Sequence, residues 1–174
     1  MRDRDSYLIS LACPDRTGLV AAVCATLFDL GGDLGDSSFA VLAGAAEFSA
    51  VVDMPAEVSR EEIAAALAAL PEAHDARIAV DPVAPPSEAA PERVISHRIR
   101  MVGDNRPGLI ARVAESFVQY KVNVVRLDAE RLPGSPSYVM RFEVAIPPRN
   151  VGSCLATLTN TAGELGLTCH YESA

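Results

Sequence analysis

The feature that most constrains this chain is a repeat. Cys13-Pro14-Asp15-Arg16-Thr17-Gly18-Leu19-Val20 has a counterpart ninety positions later, Gly103-Asp104-Asn105-Arg106-Pro107-Gly108-Leu109-Ile110. Each copy follows an alternating apolar run and opens an apolar run of helical spacing. A polar turn that ends in glycine at a helix start leaves backbone N–H groups without intrahelical partners. The turn is therefore both the first bend of each half and a place where a ligand can be held. Whatever architecture one half adopts, the other must repeat, and 174 residues suit two small domains.

The first half is predicted as follows. Ser6 to Ala12 alternates, with Tyr7, Ile9 and Leu11 on one face, and reads as a strand. Leu19, Val20, Val23, Leu27 and Leu30 share one face of a helix that Gly31-Gly32 stops. Leu34 to Leu42 and Glu47 to Met54 form a hairpin around Gly44. Ser59 to Glu62 is a capping box before Ile63, Leu67 and Leu70, and Pro71 ends that helix. Arg77 to Val83 is the last strand.

The second half repeats the order. Ile95, His97, Ile99 and Met101 share a strand face, and Leu109, Ile110, Val113, Phe117 and Tyr120 a helix face. Asn123 to Arg131 and Tyr138 to Ile146 are strands joined by the longer turn Leu132 to Pro136. Val151, Leu155 and Leu158 mark a helix, and Leu167 to Tyr171 closes the unit. Each half is thus β-α-β-β-α-β, the ferredoxin-like order, an α+β fold with both helices on one face of a four-stranded antiparallel sheet. The expected domains are 1–82 and 94–174. Residues 83–93, with prolines 85, 86 and 91, read as a semi-rigid linker.

Composition narrows the function. The net charge of −8, with no basic cluster longer than Arg98-Ile99-Arg100, argues against direct nucleic-acid binding. The start of the chain lacks a signal-peptide core and no run is long enough to span a membrane. Cys13, Cys24, Cys154 and Cys169 are scattered and read as buried thiols in a reducing cytoplasm. Aromatic residues are only 5%, so the expected cores are aliphatic. His74, His97 and His170 have no metal-ligand spacing, and no catalytic triad or phosphate loop can be read, so no enzyme, metal or cofactor is expected. Asp36-Ser37-Ser38, and Arg126 with Asp128, could line a pocket or simply face solvent.

Cys13 through Val23, with Gly31-Gly32-Asp33-Leu34 and Asp36-Ser37, is similar to an ACT domain. Asp104 through Val113, with Asn123-Val124, carries the pattern again. The resemblance covers nearly the whole chain as two tandem ACT domains, most like the glycine cleavage system transcriptional repressor group. The first copy also resembles the N-terminal ACT part of formyltetrahydrofolate deformylase, whose catalytic domain is not expected here. The resemblance implies amino-acid sensing near the strand-1/helix-1 turns, often where two such domains meet, and oligomers formed through edge strands or helices. A homodimer is the expected assembly.

Carried onto this sequence, the implied ligand residues are Asp15, Arg16, Thr17, Gly18 and Leu19 in the first copy. In the second they are Asp104, Asn105, Arg106, Pro107, Gly108 and Leu109, with Asn123. Helix-start N–H groups suit a carboxylate, and Asp15, or Asp104 with Asn105, suits an ammonium. The alternative is that Asp and Asn are ordinary N-caps and Pro107 an ordinary first helical residue. The family's Gly-x-Asn-Ile stands as Gly31-Gly32-Asp33-Leu34 in copy one, whereas copy two keeps Asn123, so copy two is the favoured site. The expected function is a regulatory protein that binds an amino acid of the glycine or serine type. It would signal through a protein partner, as a transcriptional regulator of amino-acid metabolism. The alternative function is a structural or interaction module with degenerate ACT domains and no ligand.

Overall fold

The computed structural model describes residues 4–83 and 94–174, which form two compact units, one per repeat. The first contains β1 (Arg4–Pro14), α1 (Leu19–Asp29), β2 (Asp33–Leu42), β3 (Ala45–Pro55), α2 (Arg60–Ala68) and β4 (Arg77–Pro82). The second contains β5 (His97–Asp104), α3 (Leu109–Gln119), β6 (Asn123–Arg131), β7 (Ser137–Ala145), α4 (Val151–Glu164) and β8 (Leu167–Ser173). The antiparallel sheets have the matching orders β2-β3-β1-β4 and β6-β7-β5-β8. The predicted α+β ferredoxin-like architecture is the one formed, with the helices of each unit on one face of its sheet.

The period-2 pattern decides that face. Ile9 and Leu11 of β1 and Ala50, Val52 and Met54 of β3 point at Leu19, Val23 and Leu27 of α1 and Ile63 and Leu67 of α2. In the second unit, Ile99, Met101, Met140, Phe142 and Val144 meet Leu109, Val113 and Phe117 of α3 and Leu155 and Leu158 of α4. The cores are not purely aliphatic, because the few aromatics are concentrated there. Phe48 is buried in the first, and Phe117 packs edge-on against Phe142 in the second, with centroids 5.2 Å apart.

Both first helices end in the same backbone motif. Gly31 N–H donates to Phe28 and Gly32 N–H to Leu27, while Lys121 donates to Val118 and Val122 to Phe117. Ser59 caps α2 as predicted, its Oγ accepting from Glu62 N–H at 3.2 Å. Two short 3₁₀ turns, Pro71–Ala73 and Pro148–Asn150, were not anticipated. The second sheet starts at His97, so Ile95 precedes it. The expected linker, except Val83, lies outside the described residues.

Candidate functional site

Both repeated turns bend at glycine. Gly18 (φ 94°) and Gly108 (φ 83°) are themselves the N-caps of α1 and α3, in the left-handed conformation that glycine adopts without strain. Among the described residues no side chain caps either helix. Asp15, Asp104 and Asn105 are therefore not N-caps, and Pro107 precedes the cap instead of opening the helix. The helix-start N–H groups of Val20, Ala21, Ile110 and Ala111 are left for another acceptor. Each turn is also pinned to the hairpin beside it: Asp15 N–H donates to Gly44 O at 2.9 Å, and Asn105 N–H to Pro136 O at 3.0 Å.

Around these shared anchors the two turns differ. Arg16 reaches across the first, Nη1 donating to the carbonyls of Glu72 (3.1 Å) and His74 (2.8 Å). Those carbonyls belong to and follow the 3₁₀ turn Pro71–Ala73, so the side chain straps the turn to the loop before β4. Leu19 N–H is also used, donating to Arg16 O at 3.3 Å. Arg106 makes no hydrogen bond or ion pair among the described residues, and its guanidinium lies beside Gly166 in the α4–β8 turn. A side chain placed at Gly108 would meet nothing within 4 Å, so the approach to α3 is open. Asp104, Asn105, Arg106, Pro107 and Gly108 are all exposed, and Leu109 is buried as the first core residue of α3. In the first turn, Asp15, Thr17 and Gly18 are exposed, Arg16 is half-buried and Leu19 is buried.

Asn123 does not join this site within its own domain. It stands opposite Ala145, whereas Asp104 stands opposite Ser137 at the far end of β7. Those levels are roughly 27 Å apart at the usual strand rise. The cause is α3 itself, which runs back along the sheet and delivers the chain to the opposite end. Asp33 is displaced from Gly18 in the same way, opposite Asp53 while Pro14 faces Ala45. The replacement of Asn by Asp at this point thus leaves the first turn's charge unchanged, and what separates the turns is the Arg16 strap. Sequence spacing offered one signal for it, Pro71 opening a short turn after α2.

Other candidates disperse. Asp36, Ser37 and Ser38 are exposed on edge strand β2, beside an irregularity in its pairing. All four cysteines are free thiols, and burial pushes the Cys154 and Cys169 thiols up, away from the nucleophilic thiolate form. Among the described residues no group of three or more His, Cys, Asp or Glu side chains is placed to hold a metal ion, and no helix is long and apolar enough to cross a membrane.

A family model described as "ACT domain" matches residues 6–81 and 98–172. No curated protein matches the chain by sequence. Among solved structures, an unknown protein from Galdieria sulphuraria is similar over 98% of this chain and 99% of its own, with a TM-score of 0.80 at 23% identity. A protein provisionally assigned as a glycine cleavage system transcriptional repressor is similar over 98% of each chain, with a TM-score of 0.67 at 14% identity. At these identities the likeness is one of fold.

Proposed function

The chain belongs to the ACT-domain family as two tandem copies, and from that premise we propose that it is a non-enzymatic regulatory protein that binds a small amino acid. The turn Asp104–Leu109 is the primary site. The observation that carries this reading is a helix start with no side-chain cap and an open approach at Gly108. The N–H groups of Ile110 and Ala111 and the helix dipole favour the ligand's carboxylate, and the Asp104 and Asn105 side-chain oxygens favour its ammonium. Room beside glycine suits a ligand of the glycine or serine type. The first turn, whose Arg16 is committed to the Glu72 and His74 carbonyls, is the weaker site. Occupancy is passed to a protein partner, since the acidic surface is unsuited to DNA. The fold shared with a protein assigned as a repressor supports a transcriptional setting.

Thermal unfolding in the presence of each amino acid tests the reading. Glycine or serine at 100 times its Kd should stabilise the chain by about 2.7 kcal/mol. Asp104→Ala with Asn105→Ala should abolish that shift while the unliganded melting temperature stays within a few degrees. No stabilisation by any amino acid would reject the proposal.

A second reading, an interaction module, has its own support. Phe28 and Val118 occupy matched positions on α1 and α3 and are 73% and 77% exposed, and Phe39, Val41 and Leu42 line edge strand β2. It predicts a homodimer whose stability is indifferent to amino acids, which sedimentation with and without ligand would reveal.

A further inference from the structure

The helix-free face of the second sheet holds a cavity of about 410 Å³, within the range of small-ligand sites. Strand register determines what lines it. At one level across the four strands stand Asp128, Arg141, Arg100 and His170. At the next level Arg126, Glu143, Arg98 and Glu172 alternate in sign, and that row compensates itself, with Arg98 Nε 3.2 Å from Glu143 Oε1. The first row does not. Arg141 turns to Glu130 at 2.7 Å, and Arg100 is left between Arg141 and His170 with no ion pair or side-chain hydrogen bond among the described residues.

Two arginines directly opposite on neighbouring strands repel. The fold does not require them. The corresponding level of the first sheet reads Ser38, Ser49, Ser10 and Ala79, with no charge at all, although a concavity of about 310 Å³ exists there too. A hollow thus exists on this face of both units, and at this level the first sheet carries no charge, whereas the second carries Arg100 with no ion pair among the described residues. Adjacent strands lie about 4.8 Å apart, so Arg141, Arg100 and His170 span about 10 Å. Guanidinium forks in that spacing match the oxygens of a carboxylate or phosphate group.

We propose that this face is a second binding site, distinct from the turns, for a small molecule bearing a carboxylate or phosphate group. Arg100 is its principal ligand, and Arg141 and His170 are flanking donors. The site does not depend on the amino-acid reading, since it shares no residue with either turn.

Calorimetric titration of the full chain at constant ionic strength tests it, with inorganic phosphate and citrate as probes. Saturable binding of either probe is expected, and which of the two saturates identifies the anion class. Arg100→Gln should weaken it at least tenfold and His170→Gln severalfold. Arg112→Gln on the α3 surface and Asp104→Ala at the turn should leave it unchanged. Because repulsion is relieved, Arg100→Gln should also melt higher than the wild type without anion. Saturable heat from neither probe, or Arg100→Gln affinity within twofold of wild type, would overturn the proposal.

Discussion

The two domains place the same backbone at the same points and complete it with different side chains. Gly18 and Gly108 bend alike into α1 and α3, yet among the described residues Arg16 is tied down by two carbonyls and Arg106 by none. Gly31 and Lys121 (φ 80° and 55°) end the helices in one motif, and Lys121 does so in a conformation that costs a residue with a Cβ. Ser10 faces Ser49 where Arg100 faces Arg141. Differences of this kind show which features the fold demands and which the second domain holds for other reasons. A glycine bend and an apolar row are demanded, while an untethered arginine and an arginine pair are not.

The comparison can be broken first at Gly32. A Cβ there would lie 2.7 Å from both the Leu27 carbonyl and Met54 Sδ, whereas the second domain carries Val122 at the matched place. Gly32→Ala should cost about 1–3 kcal/mol through overpacking, measured by urea denaturation, and Val122→Ala should not reproduce that overpacking. A loss below half a kcal/mol would mean that the first domain is looser at this point than its contacts imply.

Next comes the strap. Arg16→Ala removes two charge-assisted hydrogen bonds, partly exposed, and should cost about 1–2 kcal/mol. Arg106→Ala should stay within about 0.5 kcal/mol. Equal losses would erase the distinction between a tethered and an untethered turn.

The smallest effect sharpens the helix ends. Lys121→Gly removes left-handed strain and should stabilise the chain by about 0.5–1 kcal/mol, a gain of a few degrees in melting temperature. Destabilisation would show that the Lys121 side chain contributes more than its backbone geometry costs.

Much of the fold was legible because the repeat reported each element twice. Apolar spacing in α1 and α3, together with the alternation in β1, β3, β5 and β7, was enough to fix which faces meet. The site was less legible. Nothing in the spacing of Asn123 after Gly108 reveals that α3 carries it to the other end of the sheet. The Asp and Asn of the turns resemble caps by residue type, while the glycine actually serves as the cap. The Arg16 strap depends on a 3₁₀ turn too short for periodicity to announce. The pairing of Arg100 with Arg141 is a matter of register between strands forty residues apart, which no local pattern encodes. Even the low aromatic content misled, since it said nothing of where the few rings would gather.

The central claim, that the second turn is the open amino-acid site, is tested most directly by following backbone amide resonances of the full chain during titration with glycine and with serine. Saturable shifts are predicted for Gly108, Leu109, Ile110 and Ala111, with smaller ones or none at Gly18 to Ala21. Shifts confined to the first turn, or no saturable shift at either turn with any amino acid, would contradict it.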